Sequence, residues 1–311
     1  MEQYLTLPLG DLLSMLKTLL HSLEKSTNSV FEAFSPLYDK LFYFPGDKSD
    51  HLAPDTDISN VEKYELLSSR GEKISIWHLK TKLHLGPQRG IVVHCHGSGF
   101  NNSSHFPHVS WLPDHGYDVI MFDYPGYGSS EGIPDRTSTV SAAKDVISHF
   151  GAISPVEMPL FVLGQSLGGN IASVALTHFP QMERISGVIL DSMYSSFKAL
   201  GAAKIRRKYL KYNIFGTYFA SHLVASFISN TDSPLSHAGK LRLPALILHS
   251  RNDYIVPIQE SINFYSRMKS SDVEFWSHLN SGHTDVLQNN LSGYREKVLS
   301  WMDEKAKKVT K

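Results

Sequence analysis

The sequence predicts an α/β fold with a mostly parallel central sheet, helices on both faces and a small helical cap insertion. Three observations point there. From Gly90 onward, short apolar runs alternate with helix-spaced segments, as strands joined by crossover helices do. Residues able to do chemistry fall where those runs end, which is where an open parallel sheet keeps its site. Within VLGQSLGGN, residues 162–170, a buried strand runs through Gly-x-Ser-x-Gly into a helical pattern.

Taken in order, the chain opens with Leu9, Leu12, Leu13, Leu16, Leu19, Leu20 and Leu23 at helical spacing. This is an amphipathic helix whose leucine face either packs on the core or rests on a membrane or partner. Residues 44–60, rich in Pro, Gly and Asp, read as an irregular loop, so 1–55 form an amino-terminal helix and connecting arm. Val61 to Ser68 and Lys73 to Lys80 read as strands joined by a hairpin turn at 69–72. Further strands are expected near 91–95, 118–123, 159–164, 185–190, 244–249 and 272–277. The core then comprises 56–194 and 236–311. Between Asp191 and Leu243 the alternation lapses, and 195–235 reads as the cap or lid. From Ser192 to Thr231 there are six cations (Lys198, Lys204, Arg206, Arg207, Lys208, Lys211), several aromatics and no acidic residue. Such a segment suits an anionic lipid surface, or is a solvated helix face with its aromatics packed inward.

Bulk properties narrow the function classes. At 311 residues the chain can bury one large core or two modest ones, and α/β folds routinely use this length as one domain. Lys plus Arg equals Asp plus Glu at 30 each, so no global charge favours nucleic acid. The single cysteine, Cys95, permits no internal disulfide and so permits a reducing compartment. No run of 18 apolar residues is present, and Met1 to Gly10 contains no Lys or Arg, so neither a transmembrane helix nor a signal peptide is expected. The expected location is cytoplasmic, with peripheral membrane contact open.

The motifs carry the chemistry. A turn as tight as Gly164-Gln165-Ser166-Leu167-Gly168 holds its central residue at strained φ/ψ and needs glycine on both sides. It presents the Ser166 hydroxyl as a nucleophile and the Leu167 amide at a helix start, where unpaired donors favour an oxyanion. A serine nucleophile needs a base and a group that orients it. Asp253 lies in a polar turn past the strand in PALILHSRNDYIVP, and His283 follows a later strand in EFWSHLNSGHTDVL. The order is Ser…Asp…His. In IVVHCHGSGFNN, residues 91–102, the strand ends at His96-Gly97 and small residues let the Ser98 amide reach the same pocket. Asp191, at another strand end, is a second candidate for the acid. His94, Cys95 and His96 suggest a metal, but a strand alternates its side chains between faces and no further ligand is spaced nearby, so none is expected. Cys95 reads as a small core residue. DYPGYGSSEG, residues 123–132, lacks the Gly-Lys-Ser/Thr ending of a phosphate loop and reads as a structural turn beside the site.

The blocks LFYFPGDKSDHLAPDTDI, VVHCHGSGFNNSSH, YDVIMFDYPGYGSSEG, GQSLGGN, SRNDYIVP and GHTD resemble, in order and spacing, the α/β-hydrolase superfamily. Within it they are similar to a branch of compact serine hydrolases that includes membrane-associated esterases and protein depalmitoylases. The resemblance covers about residues 40–305. It implies an α/β-hydrolase fold, with Ser166 as nucleophile, Asp253 as acid, His283 as base, and the Ser98 and Leu167 amides as the oxyanion hole. Members often carry Asn where this chain has Ser98, a change that bears on substrate fit more than on the backbone donor. No cofactor is implied. The expected substrate is an acyl ester or thioester, with possible contact to an anionic membrane and none to nucleic acid. The competing class is a catalytically weak, hydrolase-shaped module that binds a membrane or a partner.

Overall fold

Residues 42–210, 233–279, 281–285 and 291–309 are described in the computed structural model. The amino-terminal leucine helix, and the side chains of Arg206 to Lys211 with the cap that follows, lie outside the described residues.

Strands β1 (Val61–Leu67) and β2 (Lys73–Leu79) pair antiparallel across the turn at 69–72. Six more strands follow: β3 (Gly90–Cys95), β4 (Tyr117–Phe122), β5 (Leu160–Gln165), β6 (Gly187–Asp191), β7 (Ala245–Ser250) and β8 (Val273–His278). Together they form one eight-stranded sheet in the order β1-β2-β4-β3-β5-β6-β7-β8. From β4 to β8 every neighbouring pair is parallel, and β2, antiparallel to both β1 and β4, alone runs against the rest. Strands β3, β5, β6 and β7 are buried along their whole length, which is why they read as continuous apolar runs and not as alternating ones. The edge strand β1 is mostly exposed and carries Glu62, Lys63 and Glu65, charges that discourage pairing with another chain's edge.

Helices α1 (Asn102–Val109), α2 (Arg136–Ile153), α3 (Leu167–Thr177), α4 (Phe197–Leu210), α5 (Ile258–Arg267) and α6 (Leu291–Val309) accompany the strands. Asn101 and Asp135 start α1 and α2 with reciprocal capping boxes to Ser104 and Ser138. Helix α3 differs: its cap residue is Ser166, whose side chain makes no capping bond. The Leu167 amide that opens it therefore has neither a helical carbonyl nor a side-chain cap.

Two apolar layers sandwich the sheet. One gathers Val146, Ile147 and Phe150 of α2 and Ile171, Ala175 and Leu176 of α3 against β3, β5 and β6. The other sets Tyr294, Val298, Trp301 and Met302 of α6 on Phe161, Ile189 and Leu246. Each of the larger aliphatic or Phe side chains contributes about 1.5–3 kcal/mol when fully buried. Gly187 opens β6 because any Cβ there would sit 2.5 Å from the Trp301 ring. Ahead of the hairpin, Phe42 and Tyr43 are buried in the first layer, and Phe44 bridges to Gly99. Phe197 and Leu200 of α4 join the same layer.

Candidate active site

The site forms at the carboxyl ends of β3, β5, β7 and β8. Strand β5 ends at Gln165, and Ser166 then takes φ 53°, ψ −115°, a conformation that strains any residue with a side chain. The Ser166 amide is tied to Asp191 O at 2.8 Å, and Ser166 O accepts from the Gly169 amide at 3.0 Å. No room is left for side chains around it. A Cβ on Gly164 would lie 2.6 Å from Gly168 O, and one on Gly168 would lie 1.9 Å from Cys95 O. Both obstacles are backbone, so neither can swing aside. Gly168→Ala should therefore push α3 away from β3 and cost at least about 3 kcal/mol, the upper end for an overpacked core. A urea titration measures it; a midpoint like that of the unaltered chain contradicts the packing described.

His283 stands between the serine and an acid. Its Nε2 is 2.9 Å from Ser166 Oγ and its Nδ1 is 2.6 Å from Asp253 Oδ2. A carboxylate only accepts, so Nδ1 carries the proton and Nε2 is free to accept from the serine. The loop that presents His283 is fastened to the acid's turn: Ser250 Oγ donates to Ser281 O, and Asn252 Nδ2 donates to Leu279 O. Asp253 Oδ1 accepts from the Ile255 and Val256 amides at 2.9 and 2.8 Å. Burial works against charge on this carboxyl. Hydrogen bonds from the His249 and His283 rings and the Val256 amide outweigh burial and hold it well below the usual carboxylate range.

The segment after β3 is braced from several directions. His96 Nδ1 donates to Gly97 O at 2.7 Å, and His105 Nε2 of α1 donates to Gly99 O at 2.9 Å. The two rings stack at 5.0 Å. Gly97 O and the Ser98 amide belong to one trans peptide, so fixing the carbonyl toward His96 turns the Ser98 N–H to the opposite side. Ser98 O accepts from the Tyr127 hydroxyl at 3.0 Å and from the Phe44 amide at 2.9 Å, and the Tyr124 hydroxyl donates to His96 O at 2.8 Å. The turn at 123–132 thus holds this segment from behind. Burial pushes the His96 imidazole down to about 4, so it stays neutral at physiological pH and keeps its single N–H for the carbonyl.

Asp191 is close but differently engaged. It is buried, accepts from Ser192 Oγ at 2.9 Å and from the Tyr294 hydroxyl at 3.3 Å, and burial pushes it up to about 6. Cys95 is buried and its thiol is pushed up by desolvation, which makes it inert. Among the described residues no group of three or more His, Cys, Asp or Glu is arranged to hold a metal ion, and no helix is long and apolar enough to cross a membrane.

The sequence reading did not single out His105, Tyr124, Tyr127 or His249. The aromatic residues lay in plain view in DYPGYG. The histidines carried no signal, because each reaches its partner only after a turn brings distant backbone alongside.

Comparison with known proteins agrees with this architecture. A family model described as alpha/beta hydrolase fold matches residues 90–240, and one described as serine aminopeptidase, S33, matches 202–284. The uncharacterized protein YfhR of Escherichia coli O157:H7 is 30% identical over 276 residues, covering 84% of this chain and 86% of that protein. The uncharacterized membrane protein YNL320W of Saccharomyces cerevisiae is 26% identical, covering 81% of this chain and 83% of its own. Among solved structures, the Pf2001 esterase of Pyrococcus furiosus superposes with a TM-score of 0.67 at 20% identity, covering 85% of this chain and 98% of that one.

Proposed function

Since the chain belongs to the α/β-hydrolase superfamily, we propose that it is a serine hydrolase cleaving carboxylic ester or thioester bonds through an acyl-enzyme. The observation that carries this reading is the unbroken hydrogen-bonded chain from Asp253 through His283 to Ser166. Ser166 Oγ attacks the substrate carbonyl while its proton passes to His283 Nε2. Asp253 stabilises the imidazolium that forms and fixes its tautomer. The negative charge growing on the carbonyl oxygen is met by the Ser98 and Leu167 amides. His283 then gives its proton to the departing alcohol or thiol. Water, activated by the same imidazole, releases the acid. No cofactor enters any step.

A panel of esters and thioesters graded by acyl length, with an amide of matched acyl group and Ser166→Ala as blank, tests the reading. Ester or thioester turnover that disappears in the blank supports it. Preference for the amide, or turnover that survives in Ser166→Ala, refutes it.

We extend the proposal to an interface. The cations of the cap segment, set in a chain of zero net charge, favour acyl substrates presented on an anionic membrane from the cytoplasmic side. Replacing Arg206, Arg207 and Lys208 with Gln should weaken binding to phosphatidylserine-containing vesicles by roughly 2–3 kcal/mol at low salt, fading as ionic strength rises. A short soluble ester should be cleaved as before. Absence of vesicle binding by the unaltered protein removes the interface from the account. Vesicle binding without any Ser166-dependent turnover favours the binding-module alternative.

A further inference from the structure

Behind the acid stands a second imidazole. His249, in β7, is fully buried, and its Nε2 is 3.0 Å from Val256 O and 3.3 Å from Asp253 Oδ2. Both neighbours are acceptors, so Nε2 carries a proton, donated to Val256 O with Asp253 Oδ2 close beside it. Its Nδ1 is 2.7 Å from Ser261 Oγ on α5, and that hydroxyl is also 3.2 Å from Met193 O. Ser261 Oγ donates to Met193 O, and its contact with Nδ1 anchors the far side of the ring. The ring is thus fixed at both nitrogens, by one helix and one turn.

These contacts act on Asp253 in two ways. The carbonyl that His249 grips belongs to Val256, whose amide donates to Asp253 Oδ1, so the ring secures the turn that holds the acid. The same N–H lies beside Oδ2, the oxygen that receives His283. Resting on the serine-hydrolase reading, we propose that His249 is a positioning residue for the triad acid. It locks the Asp253 turn and draws part of the Oδ2 charge away from His283. With that N–H removed, Oδ2 interacts more strongly with the His283 Nδ1–H, and His283 keeps its proton to higher pH. The other titratable groups facing this cluster are Asp191 at the end of β6, His278 in β8, Asp285 beyond it and His108 on α1. All are unchanged by substitutions at 249, so a shift between variants belongs to that position.

Two amides separate the roles of the ring. In His249→Gln the side-chain nitrogen falls where Nε2 was, retaining the donor toward Val256 O and Asp253. In His249→Asn the amide falls near Nδ1, retaining a partner for Ser261 and losing that donor. The test is kcat and KM for p-nitrophenyl butyrate across pH, on protein shown to be folded by circular dichroism. His249→Asn should lower kcat about 10- to 100-fold, as expected when the bond that holds the acid's turn and the donor beside an ionised group are lost together, with KM little changed. The acid limb of its kcat/KM profile should move to higher pH, and His249→Gln should recover most of both effects. Equal behaviour of the two variants, or an unmoved limb in His249→Asn, overturns the proposal. Should His249→Asn not fold, Ser261→Ala, which frees the far side of the ring, should move the limb in the same direction by less; an unmoved limb there overturns the proposal too. Fluorophosphonate labelling of Ser166 in the unaltered protein keeps the two claims apart. Labelled protein with indifferent variants sinks the role of His249 alone, whereas unlabelled protein sinks the hydrolase reading beneath it.

Discussion

Replacing either Ser166 or His283 with alanine should lower ester turnover by roughly 10⁴-fold or more, and the double variant should be little worse than either single one. In the proposed mechanism nucleophile and base act as one unit across the 2.9 Å contact, and removing one leaves the other nothing to do. Protein should still fold. Ser166 is a strained residue whose side chain makes no capping bond, and alanine relieves none of the backbone contacts at Asp191 O and Gly169 N. Steady-state kinetics of the three variants, with melting curves alongside, provide the check. Losses that multiply would mean that the two side chains serve separate purposes.

The acid gives the second large effect. In Asp253→Asn the amides of Ile255 and Val256 still require an acceptor at the Oδ1 position, so the asparagine oxygen is drawn there. Its NH₂ group then faces His283 Nδ1, and a second donor, His249 Nε2–H, stands behind it. The imidazole must reverse its tautomer, placing its proton on Nε2, where it can no longer accept from Ser166. Turnover should fall by roughly 10³- to 10⁴-fold. Asp191→Asn should change kcat by less than about tenfold, since Asp191 holds Ser192 and Tyr294 and not the imidazole. Its effect should appear in stability against pH. The folded Asp191 carboxyl is raised to about 6, so its contribution is fully present below the ordinary carboxylate value of about 3.9 and is lost as pH rises through about 6. Asp191→Asn should remove that decline from the stability profile. The reverse ranking in turnover would move the acid from Asp253 to Asp191.

Much of the fold was legible because parallel strands buried on both faces announce themselves. GIVVHC, LFVLGQ and ALILHS are apolar runs of strand length, and each was placed within about a residue of its observed span. Sheet order was less accessible. That β4 lies between β2 and β3, and that β2 alone runs antiparallel to the rest, depends on how crossovers pack and leaves no periodic trace. The spatial meeting of Ser166, Asp253 and His283 follows from each lying just past a strand end of one sheet, which the strand assignment already contained. His105 and His249 were different. His105 reaches Gly99 O because the capping box at Asn101 folds α1 back over the loop. His249 reads as one residue of a buried strand until the turn at 253–256 returns its carbonyl to the ring. A contact made by backbone returning on itself has no signature in residue type alone.

The central claim is that Ser166 is an activated nucleophile. Intact-protein mass spectrometry after incubation with a fluorophosphonate at neutral pH tests it most directly. The account predicts a single adduct of the phosphonyl mass that maps to Ser166, is absent in Ser166→Ala and forms far more slowly in His283→Ala. Folded, unaltered protein that stays unmodified, or an adduct that persists in Ser166→Ala, would contradict it.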